Sequence, residues 1–479
     1  MGPGQRLLLI EPPFYRLFKD TYALVHYPLS LGYLAAAVKT QSDWEVVVFN
    51  SDFLPASDPF EAAYFTKYGF THYQERLHDS SADIWQEIKA VIAAYLPTVI
   101  GISAKSANFA AARQVAKIAK EVSADILVVL GGPHPTQMGQ EILAHNDIDV
   151  GVMGEGEKTL VELLASLEDG GNLGRVRGLV YRQREAAAIT APREFLDDLD
   201  ALAFPAQFAP EVLHDYQRYP RSAFSRIFAT RGCPYNCFFC NSKGVWGKRV
   251  RFRSPENVIR EMRLLQESGG QAIHFDDDTF GVNPGYLRAL VTEIKERGPG
   301  LPWSCEIHVN LVTAANIKLM REAGCSRIQL GIESGNNEIL RQIRKGFTIE
   351  EAKAACQLVS QQGISLETFF MAGFPQENER TLKDTLEVIR SLDCDKVIYS
   401  IFTPYPGTEA FEYCRAQHLI DDNYDPSLYY HQSPANHFCP EITAPRFREI
   451  SEQIEAVVKE KNRLGRLRRK TFPPLTSDF

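Results

Sequence analysis

The strongest chemical signature in the sequence is a group of three cysteines in one short segment. Cys233, Cys237 and Cys240 are spaced as CxxxCxxC, whereas the other six cysteines are scattered along the chain. Cysteine thiolates are the usual ligands of iron–sulfur clusters, which commonly take four, so three closely spaced thiolates leave one iron open to an outside ligand. In a chain expected to be cytosolic, such an uneven distribution favours a metal site over a disulfide framework. The segment therefore predicts an iron–sulfur cluster with one open iron.

A zinc site is the alternative that the same residues leave open. Three thiolates in one loop would need a fourth ligand, which His274 or another cysteine could supply, and structural zinc sites more often show paired CxxC units. The chain would then be a zinc- or cluster-stabilised protein that senses a ligand.

The first part of the chain alternates short apolar runs with helical patterns. Runs such as VVVF and LVVL are continuously apolar, as expected for parallel strands that are covered on both faces. This pattern predicts an α/β domain of the flavodoxin-like, Rossmann type over residues 1–170. The predicted strands are Arg6–Pro12, Trp44–Asn50, Thr98–Ser103, Asp125–Leu130 and Asp149–Met153.

A second alternating series follows residues 171–222, which are predicted to be a linker, because GlyGly near the start and the proline-containing AlaPheProAla near 203–206 interrupt the pattern. This stretch holds one predicted strand, Arg177–Tyr181. Six strand-and-helix units in a row predict a partial (β/α)6 barrel over residues 223–415, with ligand-binding loops at the carboxyl ends of the strands. Residues 416–479 are predicted to be a mainly helical C-terminal segment. The predicted barrel strands are Arg226–Thr230, Ala272–Asp276, Trp303–Val309, Arg327–Ile332, Leu366–Met371 and Lys396–Phe402.

The cysteine motif, with Phe239 directly before the last cysteine, resembles that of the radical S-adenosylmethionine (SAM) superfamily. The resemblance covers roughly residues 223–410. It implies a [4Fe-4S] cluster held by Cys233, Cys237 and Cys240, with SAM bound to the fourth iron. It also implies that an electron from the cluster cleaves SAM to methionine and a 5′-deoxyadenosyl radical, which requires a low-potential donor such as flavodoxin or ferredoxin.

Further segments of the predicted barrel match motifs of this superfamily in the expected order. By resemblance they are expected to contact SAM. The residues are Phe239 near the adenine, the acidic triplet Asp276, Asp277 and Asp278, the strand-four segment Gly331, Glu333 and Ser334, and Gly373 in a GxPxE turn.

The first domain is similar to the cobalamin-binding domains that precede some radical SAM barrels. Ser103 and the pair Gly131 and Gly132 follow predicted strands, and the resemblance places them beside the nucleotide tail of cobalamin. His134 is a candidate cobalt ligand, although a loop histidine satisfied by the backbone is the simpler interpretation. The motif DxHxxG is absent, and residues 50–56 read NSDFLPA instead. If cobalamin binds, no histidine from that motif reaches the cobalt.

Of the remaining cysteines, Cys305 is the candidate for a role with the substrate, because it lies on a predicted barrel strand whose side chains face either the lumen or the outer helices. Four of the other five fall within or beside helical patterns and are more typical of core positions. No closely spaced pair remains, so a second cluster is not predicted.

Charge and hydropathy exclude other classes of protein. The net charge of −8 is mild for 479 residues, so nucleic acid is not an expected partner. No apolar run approaches the ~20 residues that span a bilayer, and the N-terminus lacks a signal-peptide layout. A cytoplasmic location is therefore expected.

Together these features predict a cobalamin-dependent radical SAM enzyme that methylates an unactivated carbon of a small-molecule substrate. The missing DxHxxG motif keeps open a non-methylating rearrangement, dehydration or oxidative cyclisation, with cobalamin bound differently or not at all. Tyr429, Tyr430, His431 and His437 of the C-terminal segment are candidates for reaching the substrate, with packing as the simpler interpretation.

Overall fold

The fold was analysed in a computed structural model, which describes residues 5–60, 65–184, 186–433 and 435–468. These residues form two compact units. The first contains the chain up to Pro59, Lys67–Phe224 and Gly244–Trp246, and the second contains Ser225–Lys243 and the chain from Gly247 onward, together with part of the segment 60–66.

The first unit is built on a seven-stranded sheet with the order β2-β1-β3-β4-β5-β6-β7. Strands β1 to β5 are parallel, and their order is that of flavodoxin-like folds, in which the topology reverses between β1 and β3. The strands are β1 (Arg6–Glu11), β2 (Glu45–Asn50), β3 (Val99–Ser103), β4 (Leu127–Gly131), β5 (Val150–Val152), β6 (Leu179–Gln183) and β7 (Ala186–Ile189). All five predicted strands are confirmed.

Helices flank this sheet, and a single turn of π-helix, Phe65–Gly69, precedes α3. The helices are α1 (Tyr15–Phe18), α2 (Leu29–Gln41), α3 (Phe70–His78), α4 (Asp83–Tyr95), α5 (Phe109–Val122), α6 (Pro133–Met138), α7 (Gly156–Glu168) and α8 (Pro205–Val212).

The predicted linker over residues 171–222 carries regular structure that belongs to the first unit. Strand β6 pairs antiparallel with β5, and β7 pairs antiparallel with β6. The hairpin supplies hydrogen-bond partners to β5, which would otherwise be an open edge. Glycine and proline punctuation mark the turns of this segment, but they do not show that its short strands pair with a distant sheet.

The second unit contains a six-stranded parallel sheet with the order β15-β14-β13-β12-β11-β8. Each strand lies beside its neighbour in sequence, as in a (β/α) barrel, and the six predicted strands are confirmed. The strands are β8 (Arg226–Ile227), β11 (Ile273–Phe275), β12 (Trp303–Ile307), β13 (Cys325–Glu333), β14 (Ser365–Ala372) and β15 (Lys396–Ile401), with a separate two-stranded ribbon of β9 (Thr230–Arg231) and β10 (Arg251–Phe252).

Capping residues define where the helices of this unit begin. Ser254 and Asn283 each precede a proline at the first helical position and accept a hydrogen bond from a backbone N–H of the first turn. Thr348 and Glu351 form a capping box. The helices are α9 (Ser242–Trp246), which bridges the boundary of the units, α10 (Pro255–Glu267), α11 (Pro284–Arg297), α12 (Ala314–Glu322), α13 (Asn337–Gln342), α14 (Ile349–Gln361), α15 (Glu379–Ser391), α16 (Glu409–Ala416) and α17 (Ala444–Arg468).

Helix α17 confirms the predicted helical C-terminal segment. The sequence of this segment ends with a basic run, residues 459–470, of which Arg469 and Lys470 lie outside the described residues. Gly465 allows the helix to approach the sheet, because a Cβ there would lie 1.8 Å from the carbonyl oxygen of Asp395. Among the described residues, no helix is long and apolar enough to cross a membrane.

Candidate active site

The three cysteines lie in a loop between β9 and α9. Cys233 and Cys237 are partly buried and Cys240 is exposed. The backbone of Phe238 anchors the loop, because its N–H donates to Ile343 (3.0 Å) and its carbonyl accepts from Ala410 (3.1 Å). The loop therefore has a fixed position in the second unit while its thiols remain available.

The thiols are near enough to influence one another. Burial raises the pKa of Cys237, against the opposing effect of the Lys345 charge, and burial raises the pKa of Cys240 to about 11. A neighbouring thiolate raises both further. Thiolates placed this close together repel one another, and the positive charge of the irons in a cluster would offset that repulsion. The donor set thus fits a [4Fe-4S] cluster.

The ligand that zinc would need is occupied elsewhere. His274 lies with Nδ1 2.8 Å from the Ser304 hydroxyl and with Nε2 3.4 Å from Asp276. The six remaining cysteines are all buried. Within the described residues, no three Cys, His, Asp or Glu side chains converge on a position for a single metal ion.

The acidic triplet after β11 divides into three environments. Asp276 forms an ion pair with Arg226. Asp277 is 2% exposed and accepts hydrogen bonds from the Ala229 N–H and the Thr230 hydroxyl, both at 2.7 Å. Asp278 accepts from the Ser242 hydroxyl at 2.9 Å, beside the cysteine loop. Asp277 is thus engaged in holding the backbone between β8 and β9, whereas Asp278 lies nearest the predicted cluster.

The segment at the end of β13 is held by a buried ion pair. Glu333 has a positive φ of 70° at a break in register with β14, and Lys345 Nζ lies 3.3 Å from its carboxylate. A Cβ at Gly331 would lie 2.6 Å from the Glu333 carboxylate, so any side chain there would have to displace that carboxylate. Ser334 is fully buried and its hydroxyl lies 3.3 Å from that of Thr385, which makes its side chain part of the packing against α15.

The GxPxE turn after β14 is held by its own glutamate. Glu377 is fully buried and accepts hydrogen bonds from the N–H groups of Gly373 (2.6 Å) and Phe374 (3.1 Å). Burial raises the pKa of Glu377 to about 8. Gly373 has a φ of 100°, and the ring of Phe239 lies 5.6 Å from that of Phe374. The predicted SAM-contacting residues Phe239 and Gly373 are thus placed close together.

Cys305 lies on the outward face of β12. It is fully buried, its strand partners are Phe275 and Ile328, and its thiol interacts with that of Cys325. The side chains that point the other way from β12 are those of Ser304 and Glu306, because successive strand residues face opposite sides of a sheet. Its role with a substrate stays a prediction, and the position gives it no access to the lumen.

Sequence reasoning missed several polar residues around this site. His308 stacks on Tyr235 of the cysteine loop, with ring centroids 3.7 Å apart, and Lys345 lies between the cysteine loop and Glu333. Glu306 faces the lumen. Strand periodicity indicates Glu306, but nothing in the sequence signals Lys345, which the fold brings in from the turn after α13.

In the first unit, polar residues gather at the carboxyl ends of β1 and β3. Glu11 is buried, and its carboxylate accepts a hydrogen bond from Ser103 and lies 3.8 Å from Lys105 Nζ. Burial raises the pKa of Glu11. This is the point where the strand order reverses, at which open α/β sheets bind ligands. The predicted cobalamin-contacting Ser103 therefore lies at the expected edge, with a partner, Glu11, that the sequence did not reveal.

The glycine pair after β4 permits a close approach of backbone. Gly132 has a φ of 106°, and a Cβ there would lie 2.9 Å from the carbonyl oxygen of Ala104. Gly131 pairs with Ser103 in the sheet. His134 is 2% exposed, lies with Nδ1 3.1 Å from the Ser106 hydroxyl and packs against Phe109. These contacts favour a packing role for His134 over cobalt ligation.

The segment that replaces the DxHxxG motif has a structural role. Asp52 is buried and accepts hydrogen bonds from the N–H groups of Phe14, Tyr15 and Arg16, at 2.9–3.1 Å. The carboxylate thus caps α1. The polar edge at Ser103 and Glu11 fits the polar tail of a nucleotide-like ligand, and the described residues of the segment 50–56 include no histidine.

Comparisons with known proteins agree with the two-unit fold. Residues 15–164 match the B12 binding domain and residues 227–389 match the radical SAM superfamily. An uncharacterized methyltransferase of Pyrococcus horikoshii is 31% identical over 87% of this chain and 84% of its own length. The anaerobic magnesium-protoporphyrin IX monomethyl ester cyclase of Rubrivivax gelatinosus is 28% identical over 75% of this chain and 66% of its own length.

Solved structures share the fold. The radical SAM methyltransferase TsrM of Kitasatospora setae, solved with cobalamin and a [4Fe-4S] cluster, superposes with a TM-score of 0.71 at 18% identity, over 95% of this chain and 89% of its own. An α/β barrel with a three-cysteine loop, preceded by a B12-type sheet, defines a class of cofactor-dependent enzymes. The chain belongs to the radical SAM superfamily, in the group that carries a B12 binding domain.

Proposed function

We propose that this chain is a cobalamin-dependent radical SAM methyltransferase that methylates an unactivated carbon of a small-molecule substrate. The observation that carries the proposal is the pairing of two units in one chain, one with the cysteine loop of a radical SAM barrel and one with the sheet of a B12 binding domain. The names of similar proteins support methyl transfer.

The cluster, when bound, supplies the electron that cleaves SAM, and cobalamin supplies a carrier for the methyl group. The residues of the chain position these groups. Cys233, Cys237 and Cys240 would hold three irons, and the charges of Lys345 and Asp278 are near enough to influence Cys237 and Cys240, respectively. Lys345 and Glu333 form a fixed ion pair whose charges can orient the amino acid part of SAM.

The first unit would hold cobalamin at the carboxyl edge of its sheet. Ser103 and Glu11 provide polar contacts there, and Gly132 lets the loop after β4 pack closely against the backbone of Ala104 at the same edge. Because His134 is packed against Phe109 and hydrogen-bonded to Ser106, we infer that no protein imidazole from this loop ligates the cobalt.

We further infer that a flavodoxin or ferredoxin in the cytoplasm supplies the electron. All nine cysteines are free thiols, as expected for a reducing compartment. The cluster and the SAM it binds also require a donor of low potential.

The test is product analysis with the anaerobically reconstituted full chain, SAM, reductant and cobalamin. We expect both 5′-deoxyadenosine and S-adenosylhomocysteine with a genuine substrate, in matched amounts. Absence of S-adenosylhomocysteine while the substrate is consumed would contradict methyl transfer.

A non-methylating radical reaction is the second candidate. The relationship to the cyclase of Rubrivivax gelatinosus favours it, as does the sequence NSDFLPA at residues 50–56, where the capping role of Asp52 replaces the histidine motif. Purified protein that lacks cobalamin and still cleaves SAM with its substrate would identify this reaction.

A further inference from the structure

The inward face of the barrel sheet is polar, in contrast to its outward face. On β12, Cys305 and Ile307 are buried against the outer helices, while Glu306 between them is exposed. The next strand places Gln329 beside Glu306, and the strand after that places Glu367 beside Gln329. Inward positions of closed β/α barrels usually hold bulky apolar side chains. A charged layer that solvent reaches therefore indicates a lumen built to receive a polar molecule.

Most charges on this face neutralise one another. Arg226 pairs with Asp276, and Arg327 Nε lies 3.5 Å from Glu367. Glu306 differs, because its carboxylate forms no hydrogen bond or ion pair with any described residue. It is the carboxylate of the layer that is left for an outside partner.

A second unpaired acceptor lies next to Glu306. Gln329 donates its amide N–H to Glu367 at 2.9 Å, which fixes the orientation of the amide and turns its oxygen away from Glu367. That oxygen is enclosed and has no hydrogen-bond partner among the described residues. An enclosed acceptor without a donor is unfavourable. The carboxylate of Glu306 and the amide oxygen of Gln329 are therefore two neighbouring acceptors that both lack a hydrogen-bond donor in the described part of the chain.

The surrounding charge selects the kind of donor. Solvent reaches Glu306, but the surrounding protein of the lumen removes part of its hydration and raises its pKa, and the carboxylates of Asp276, Asp278 and Glu333 raise it further. Arg226 opposes this effect. A cation placed at Glu306 would relieve this repulsion, whereas an anion would add to it. The positive side chain of Lys396 lies in the same layer at the far edge strand, beside Glu367 rather than Glu306.

We propose that Glu306 binds a protonated amine of the substrate, with the carbonyl of Gln329 as an auxiliary acceptor. This inference rests on the proposed function, because it names the class of substrate that the proposed methyltransferase would bind in its barrel. The substrate is then a small molecule with a basic nitrogen that is charged at neutral pH, and Glu306 is a binding residue that sets its position.

The test uses a simple probe of this chemistry and does not depend on turnover. Binding of 4-fluorobenzylamine, a cation at pH 7.5, and of 4-fluorobenzyl alcohol, its neutral counterpart, is measured by fluorine NMR with the anaerobically reconstituted full chain. Wild-type protein should bind the amine at least about tenfold more tightly than the alcohol, as expected for a charge-assisted hydrogen bond.

The variant Glu306→Gln should lose that preference for the amine, and Gln329→Leu should reduce it by a smaller factor. Glu296→Gln, which removes an exposed carboxylate of α11, is the matched control and should retain the preference. Thermal unfolding of each variant establishes that it is folded.

Equal binding of amine and alcohol by wild-type protein, or an unchanged preference in Glu306→Gln, would overturn the proposal. Binding of SAM is measured in parallel, because SAM also carries an amino group. Loss of SAM binding in Glu306→Gln would assign the carboxylate to SAM and would also overturn the proposal. Failure of the proposed function would appear instead as missing S-adenosylhomocysteine with amine binding intact.

Discussion

Replacement of Glu377 tests whether the GxPxE turn is held by a buried carboxyl group. Its carboxyl accepts two backbone N–H bonds, from Gly373 and Phe374, and its second oxygen has no partner among the described residues. In Glu377→Ala both N–H groups lose their acceptor. Each unsatisfied buried donor costs about 1–3 kcal/mol, so the variant should be about 2–6 kcal/mol less stable than Glu377→Gln, which retains a carbonyl acceptor.

The difference in the free energy of unfolding between Glu377→Gln and the wild type should depend on pH. Burial raises the pKa of Glu377 from 4.5 to about 8. A carboxyl group whose pKa is raised on folding stabilises the native state fully below its unfolded pKa and loses this contribution as the pH rises through the folded pKa. The wild type should therefore lose up to about 1.4 kcal/mol per pH unit relative to Glu377→Gln between these limits.

The assay is thermal unfolding of the full chain under anaerobic conditions, with hydrogen exchange of the peptide that contains Gly373 as the local readout. From pH 5.5 to pH 7.5, the unfolding temperature of Glu377→Gln should rise relative to wild type by roughly 5–10 °C, at about 2–4 °C for each kcal/mol. The reasoning would be refuted if the difference in unfolding temperature between Glu377→Gln and wild type did not change with pH, or if Glu377→Ala and Glu377→Gln were equally stable.

Three further perturbations follow from the geometry. Gly132→Ala places a Cβ 2.9 Å from the Ala104 carbonyl oxygen at a φ of 106°, so it should destabilise the first unit by about 1–2 kcal/mol. It should also weaken cobalamin binding, as measured by equilibrium dialysis. Unchanged affinity for cobalamin would argue against binding at this edge of the sheet. Arg253→Met removes the cation that pairs with Glu261 in a fully buried ion pair and should cost about 3–5 kcal/mol in denaturant unfolding. Arg341→Met removes one partner of an exposed ion pair and should leave the denaturant midpoint close to that of the wild type. Cys240→Ala should reduce the iron content and the cluster absorbance to background after anaerobic reconstitution, and a normal iron content would exclude Cys240 as a ligand.

The sequence predicted the sheets better than the connections between them. The strands of the first sheet were indicated by continuous apolar runs such as VVVF and LVVL, because strands covered on both faces leave a strong local signal. The barrel strands were indicated by the alternation of short β-rich runs with helical patterns. The predicted strand Arg177–Tyr181 overlaps β6, whereas β7 and the pairing of this hairpin with β5 were not predicted. Ala186–Ile189 is a short exposed strand, and its pairing depends on tertiary context.

The candidate site was predicted where its residues lie in local motifs, as with Cys233, Cys237 and Cys240. It was not predicted where distant residues meet. Lys345 reaches Glu333 from a turn after α13, and Glu11 meets Ser103 across two strands. The orientation of Cys305 also required the structure, because only the strand register shows which face of β12 points toward the lumen.

Transfer of a labelled methyl group tests the central claim most directly, because it requires no knowledge of the substrate. The full chain, reconstituted with its cluster and with cobalamin, is reduced and incubated with SAM that carries a trideuterated methyl group. Mass spectrometry of the bound cobalamin should then show labelled methylcobalamin in the wild type. Formation of 5′-deoxyadenosine without any labelled methylcobalamin would contradict the claim that this chain is a cobalamin-dependent methyltransferase.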